Sequence, residues 1–235
     1  SDIADVLKGN GGKDKLFGLA GNDTLNGGQG NDSLKGGAGN DVLRGGNGSD
    51  LALFTGTEDA VVRLGSTKAQ NTGYGSDRLI GIERVRTGSG NDSVSGNGEA
   101  NQLETGKGRD RLYGKGGNDE LRGGAGHDTL WGGRGEDLLL GDNGRDVLDG
   151  GKGNALLIGG QGSDIFVFAK GDGLDKISDF EIGVDKIHIA NGASNLGKLT
   201  FDQDGDDVVL SFRNVEIEIE GALVSDLQDP GNFIF

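Results

Sequence analysis

Apolar positions recur along this chain every nine residues. Leu7, Leu16, Leu25, Leu34 and Leu43 open the series, and Ala52 takes the next place. The series resumes at Val94, Leu103, Leu112, Leu121, Leu130, Leu139, Leu148, Leu157 and Phe166. Each of these residues sits between polar or outward neighbours, so each is the inward residue of a short strand. The six residues between strands are glycine-rich and predict a turn, because glycine tolerates positive φ and close backbone approach. One such unit cannot bury its leucine alone, and stacked units can. Two units make one coil of a flattened right-handed spiral, with strands on two opposite faces. The pattern therefore predicts an all-β parallel solenoid in which alternate units stack on the same side.

The phase breaks between about residues 54 and 86, where Val61, Leu64, Leu79, Ile82 and Val85 keep an apolar supply. That composition predicts an irregular coil continuing the same core rather than a free linker. Beyond Phe168 the pattern changes again. Residues 198–201 and 208–212 read as strands, and 214–220 alternates strictly with Val215, Ile217 and Ile219 on one face. This is an antiparallel signal, and a repeat array needs its open end covered. The expected organisation is a first repeat block at 1–53, a connecting coil at 54–86, a second block at 87–167 and a C-terminal antiparallel β cap at 168–235.

The polar position with the same period is the aspartate two residues before each leucine. It falls at Asp5, Asp14, Asp23, Asp32, Asp41 and Asp50, then at Asp92, Asn101, Asp110, Asp119, Asp128, Asp137, Asp146, Ala155 and Asp164. Asp175-Lys176-Ile177 and Asp185-Lys186-Ile187 keep the Asp-x-apolar step further on. Stacking sets Asp14 beside Asp32 and Asp23 beside Asp41. Asp92, Asp110, Asp128, Asp146 and Asp164 make one column, and Asn101, Asp119, Asp137 and Ala155 another. Carboxylates at strand spacing, about 4.8 Å, repel without a counter-ion. An all-oxygen set of carboxylates and turn carbonyls selects Ca²⁺ over Zn²⁺ or Cu²⁺, and its loose geometry disfavours Mg²⁺.

Composition sharpens this picture. Of 235 residues, 32% are hydrophobic and 50 are glycine, too little apolar side chain for an ordinary core. A formal net charge of -15 disfavours nucleic acid and anionic lipid and favours divalent cations. The absence of cysteine excludes disulfides and thiolate metal sites, which leaves metal as the available staple. No apolar run reaches membrane-spanning length and no signal peptide is evident. The start at Ser1 and the lack of methionine suggest a fragment of a longer protein.

The unit Gly27-Gly28-Gln29-Gly30-Asn31-Asp32-Ser33-Leu34-Lys35, repeated as Gly123-Gly124-Ala125-Gly126-His127-Asp128-Thr129-Leu130-Trp131, resembles the RTX (repeats-in-toxin, hemolysin-type) nonapeptide. The resemblance covers most of residues 1–167. It implies a calcium-binding parallel β-roll of the kind carried by bacterial proteins exported through type I secretion. It also implies that each sixth-position Asp binds Ca²⁺ with alternate loop carbonyls, such as those of the fourth-position glycines Gly12, Gly21, Gly30, Gly39, Gly48, Gly108, Gly117, Gly126, Gly135, Gly144 and Gly162. The tail Asp229-Pro230-Gly231-Asn232-Phe233-Ile234-Phe235 is similar to the uncleaved secretion signal of such proteins. Asn101 loses a charge and Ala155 supplies no ligand, so their sites should be weak or empty.

Other motifs yield to plainer readings. Asn22-Asp23-Thr24, Asn31-Asp32-Ser33 and Asn91-Asp92-Ser93 match a glycosylation sequon, but the repeat already explains them. Residues 192–198 have phosphate-loop spacing with Leu199 where Ser or Thr is required. Residues 202–207 start like an EF-hand loop, but its twelfth position is Arg213, so a hairpin turn is expected. His127 and His188 are expected as an exposed and a core residue, and Trp131 as packing across strands. No catalytic constellation is present.

The expected function is a monomeric calcium-binding module of a larger secreted bacterial protein, folding outside the cell as ions fill its turns. One alternative is an accessory polysaccharide-binding module, like those of alginate epimerases, using an outward face with Lys35, Arg44, Arg122 and Trp131. Others are an adhesin segment and the C-terminal domain of a secreted protease or lipase.

Overall fold

The computed structural model describes residues 3–235. The chain winds as a solenoid of parallel strands that alternate between two faces. One face is a 13-stranded sheet running from Lys15–Ala20 through Ser33–Ala38, Gln102–Glu104, Glu120–Gly126 and Leu138–Gly144 to Leu174–Ile177 and the terminal strands. The other face is divided. A five-stranded sheet begins with Val6–Gly11 and Thr24–Gln29, and an eight-stranded sheet carries Ser93–Ser95, Arg111–Tyr113, Thr129–Gly135 and Val147–Gly153. Leu7 pairs with Leu25 and Leu112 with Leu130, one coil apart.

The inward leucines of the two faces fill a single core. Leu25, Leu34, Leu43, Leu103, Leu112, Leu121, Leu130, Leu139, Leu148 and Leu157 are fully buried. The strands are longer than the three residues of each unit that the pattern assigns to them. Glu120–Gly126 pairs with Leu138–Gly144 across its whole glycine stretch, including Gly124 with Asp142 and Gly126 with Gly144. The glycines therefore extend the ladder and bend it. At Gly126, φ is +150° and a Cβ would lie inside the carbonyl oxygen of Gly108 in the coil before. Backbone that close leaves no room for a side chain.

Between the repeat runs the order of strands changes. After Leu51–Phe54, the chain lays Val61–Arg63 against Ser93–Ser95, which follows 32 residues later. It turns back through the antiparallel pair Gln70–Asn71 and Ser76–Ile80, which fills the place beside Val42–Asn47. Arg84–Thr87 then joins Leu51–Phe54. Ala60, Val62, Leu79, Ile82 and Val85 are buried, so this excursion shares the core. Val62 points inward in place of Val61, because the strand enters in the register of Ser93–Ser95.

The C-terminal end is closed by an antiparallel arrangement. Val215–Ile219 adds in parallel to Leu174–Ile177 and then pairs antiparallel with Asp207–Phe212, which pairs with Thr200–Asp204. Val208, Leu210, Phe212, Val215, Ile217 and Ile219 are buried. The hairpin turns at Gly205, with φ +63°, where the acidic run resembled a metal loop. Phe233–Ile234 pairs with Lys186–Asn191, so the last residues are part of the sheet.

Crowding at the stacked glycines gives a direct test. Gly126→Ala should destabilise the fold by about 2–3 kcal/mol, through strain at positive φ and backbone overlap. Gly98→Ala, where a Cβ meets nothing within 4 Å, should be close to neutral. Denaturant titration of the two variants in saturating calcium measures the difference.

Candidate metal centre

The turns stack into columns of carboxylates joined by backbone hydrogen bonds. In one column the N–H of Asp5 donates to Oδ1 of Asp23 at 2.8 Å, that of Asp23 to Asp41 at 2.8 Å, and that of Asp41 to Asp77 at 2.8 Å. In a second, Asp14 donates to Asp32 at 2.8 Å, Asp32 to Asp50 at 2.7 Å and Asp50 to Glu83 at 2.9 Å. This column continues as Asn101 to Asp119 at 2.7 Å, Asp119 to Asp137 at 2.8 Å and Ala155 to Asp175 at 2.8 Å. The third runs from Ala60 through Asp92, Asp110, Asp128, Asp146 and Asp164 to Asp185, with every link between 2.7 and 2.8 Å. An equivalent ladder at the preceding position uses amides: Asn31 Oδ1 accepts from Ser49 at 3.0 Å and Asn91 Oδ1 from Arg109 at 2.9 Å. That is the repeat's own use for the asparagines of the apparent sequons.

Each column uses one oxygen per carboxylate. The second, Oδ2, is buried and has no hydrogen-bond partner among the described residues in Asp14, Asp23, Asp32, Asp41, Asp50, Asp110, Asp119, Asp128, Asp137, Asp146, Asp164 and Asp175. A buried acceptor left unpaired costs about 1–3 kcal/mol, and more when charged. Twelve of them outweigh the roughly 5–15 kcal/mol net stability of a typical domain. Something positively charged must meet these atoms.

The first glycine of each unit leaves room for it. A Cβ on Gly141 would stand 2.7 Å from Asp146 Oδ2 and 2.5 Å from the carbonyl oxygen of Gly159. On Gly132 it would stand 2.5 Å from Asp137 Oδ2 and 2.6 Å from the Gly150 carbonyl. Carboxylate and carbonyl oxygens thus converge in a cradle that any other side chain would fill. The fourth-position glycines Gly12, Gly21, Gly30, Gly39, Gly48, Gly108, Gly117, Gly126, Gly135, Gly144 and Gly162 all have positive φ. The carbonyl oxygens of Gly12, Gly21, Gly108 and Gly126 stand where a Cβ on the equivalent glycine of the next coil would be. Among the described residues no three His, Cys, Asp or Glu side chains form a metal-holding group. A cation here draws on the main chain as well, the chemistry of a hard ion that accepts carbonyl oxygen. The residues therefore fit Ca²⁺.

Irregular units differ as their side chains require. Asn101 Oδ1 accepts from the N–H of Asn97 at 2.8 Å, so its amide closes its own turn. Ala155 leaves only its N–H, held by Asp175. Asp92 has both oxygens occupied, the second by the hydroxyl of Thr87 at 2.5 Å. The columns also include three acids that the nine-residue phase did not flag as ligands: Asp77, Glu83 and Asp185. Their signal was an acid two residues before an inward Leu79, Val85 or Ile187.

The RTX calcium-binding nonapeptide repeat model matches residues 1–34, 17–52, 79–112, 104–139, 113–148 and 140–174, more than half of the sequence. The chain belongs to the RTX calcium-binding nonapeptide repeat family. RTX nonapeptide repeats bind multiple Ca²⁺ ions. Curated proteins give no match. Among solved structures that match is the extracellular lipase LipA from Serratia marcescens, with 20% identity and a TM-score of 0.39. That alignment covers 100% of this chain and 39% of the lipase, so the RTX chain spans well under half of its length.

The RTX geometry corrects the proposed polysaccharide face. Lys35 and Arg122 lie on the 13-stranded sheet, whereas Arg44 and Trp131 lie on the opposite side, in the five- and eight-stranded sheets. Arg122 is also engaged, its Nε donating to Asp142 at 2.6 Å and its Nη2 at 3.0 Å. Trp131 stacks on Tyr113 with ring centres 4.5 Å apart and planes 3° from parallel. The four residues share no surface, because the two-unit period sends alternate units to opposite faces.

Burial raises the carboxyl groups of the metal-free RTX columns. It pushes Asp110, Asp146 and Asp175 up to about 7, and Asp119, Asp128 and Asp164 up to about 6, from an ordinary 3.8. The donated backbone N–H pulls each down, and neighbouring carboxylates such as Asp128 beside Asp110 add to the rise. Without metal the folded state thus binds extra protons. That stabilisation is complete below about pH 4 and is lost as pH rises through 6 to 7. Bound calcium reverses the sign, because it holds the carboxylates ionised and its contribution is lost as pH falls. Acidification from about pH 7.5 to 5 should therefore raise β-structure in chelator and lower calcium-induced stability in saturating metal. Circular dichroism under both conditions reads the two slopes, and slopes of the same sign would contradict the account.

Proposed function

We propose that this chain is a calcium-gated folding module of a larger secreted bacterial protein. The observation that supports this most directly is the set of buried Oδ2 atoms with no hydrogen-bond partner among the described residues. The ions sit at Asp14, Asp23, Asp32, Asp41, Asp50, Asp110, Asp119, Asp128, Asp137, Asp146, Asp164 and Asp175, each completed by turn carbonyls. Asp5 joins the first column through its N–H on Asp23.

The chain's own residues supply the coupling. Each Oδ1 accepts the N–H of the coil before it, so orienting one carboxylate docks its neighbour. Filling one turn prepares the next, which makes binding cooperative along a column. At low calcium the carboxylates repel one another, and the leucine core is too thin to offset the chain entropy. The chain is then extended and suited to passage through a type I secretion channel. Outside the cell, affinities on the order of 10⁻⁴ to 10⁻³ M match extracellular calcium. The C-terminal hairpin covers the open end of the roll, and the module stabilises whatever precedes it. Its role is structural rather than catalytic.

Removing calcium tests the proposal. Thorough chelation at neutral pH should abolish most β-structure, and millimolar calcium should restore it in a sigmoidal titration. Asp128→Ala, in the middle of a column, should shift the calcium midpoint upward more than Asp128→Asn, which keeps one oxygen. Persistence of the fold in chelator, with equal midpoints for wild type and both variants, would refute the reading.

A further inference from the structure

Two carboxylates in the columns are closed by a hydroxyl group instead of an ion. The regular unit places glycine five residues before its aspartate, as Gly123 stands before Asp128. At the break in the repeat, Thr72 stands in that place before Asp77 and Thr87 before Asp92. The Thr72 hydroxyl donates to Asp77 Oδ2, and the Thr87 hydroxyl donates to Asp92 Oδ2 at 2.5 Å. The other oxygens are taken too: Asp77 Oδ1 accepts from the N–H of Asp41 at 2.8 Å, and Asp92 Oδ1 from that of Ala60 at 2.7 Å. All four side chains are buried.

A threonine at this place is not enough by itself. Thr105 stands five residues before Asp110, yet its hydroxyl donates to the Gly123 carbonyl at 2.7 Å. Asp110 Oδ2 accepts no hydrogen bond, although the hydroxyl stands near enough to lower that carboxyl a little against the rise from burial. The hydroxyl turns onto the carboxylate at the two turns that flank the excursion. There Asp77 docks the returning strand Ser76–Ile80, and Asp92 docks Val61–Arg63.

We infer that Asp77 and Asp92 are metal-independent turns, and that Thr72 and Thr87 occupy the place an ion takes elsewhere in the columns. The junction, with the strands Val42–Asn47 and Ser93–Ser95 that pair with it, then keeps its local form when calcium is withdrawn, while the more distant repeats lose theirs. A buried hydroxyl donating to a carboxylate is a charge-assisted bond that needs no ion. The contrast with the remaining turns rests on the calcium reading given above.

The test uses the full chain with two readouts. Bound calcium is counted by equilibrium dialysis for wild type, Asp77→Asn, Asp92→Asn and Asp128→Asn. The first two should hold as many ions as wild type, and Asp128→Asn should hold fewer. Hydrogen exchange in chelator is then followed over Val61–Arg63 and Ser76–Ile80 in wild type and in the Thr72→Val/Thr87→Val double variant. The valines keep shape and leave both carboxylates in place, and exchange should accelerate about tenfold or more, as expected for losing a hydrogen bond to a charged group. Loss of an ion in Asp77→Asn or Asp92→Asn matching that in Asp128→Asn would overturn the inference. So would exchange unaltered by the valines. If no variant and no wild-type chain binds calcium, the calcium reading fails, and the valine arm still decides whether the hydroxyls close these turns.

Discussion

Most coils of this molecule are held to the next by an aspartate that is only half accommodated by the protein. One oxygen accepts the N–H of the equivalent residue in the preceding coil, as Asp146 does for Asp128. The other is enclosed with no donor in reach. The first contact sets the register of the stack. The second makes the stack conditional, because a buried anion without a counter-charge opposes the very docking its partner oxygen promotes. On the proposed function, this division of labour is what couples folding to cation binding.

Glycine has a related part in this design. The first glycine of each unit keeps a cradle open beside the carboxylate, and the fourth lets the backbones of successive coils approach more closely than any Cβ allows. The same residues carry the parallel ladder past the leucine into the bend, as far as the fourth glycine of the unit. Four units place Asn10, Leu19, Lys115 or Asp142 at the second position in spite of positive φ, which shows where the repeat tolerates backbone strain. The apolar core then has little left to do: one leucine per unit fills the space between two faces.

Departures from the repeat are informative because each alters the charge that must be met. Asn101 folds its amide onto its own turn, and Ala155 removes the carboxylate while Asp175 still accepts its N–H. Threonine closes Asp77 and Asp92 at the strand excursion. Near the cap, Asp179 accepts from both Gly159 and Gly160, at 2.9 and 2.7 Å, so protein donors take over as the repeats end. The antiparallel hairpin then supplies an ordinary buried core of Val208, Leu210, Ile217 and Ile219. Unpartnered carboxyl oxygens thus disappear wherever local donors or apolar side chains take their place.

The nine-residue phase determined the solenoid, its inward leucines and the columns of repeat aspartates, and the two-residue alternation of 214–220 determined the antiparallel closure, because each is a consequence of strict local periodicity. Tertiary structure decided what periodicity cannot carry. Glu83 and Asp77 enter the columns only once an out-of-order strand has shifted the path by 33 or 36 residues, spacings that no single unit displays. Lys35, Arg44, Arg122 and Trp131 look alike in the repeat, yet the coil separates them onto opposite faces. Whether a given carboxylate is left unpaired depends on which hydroxyl or amide the fold turns towards it. That is a matter of orientation in three dimensions, and Thr87 and Thr105 differ in it while occupying the same place in the repeat.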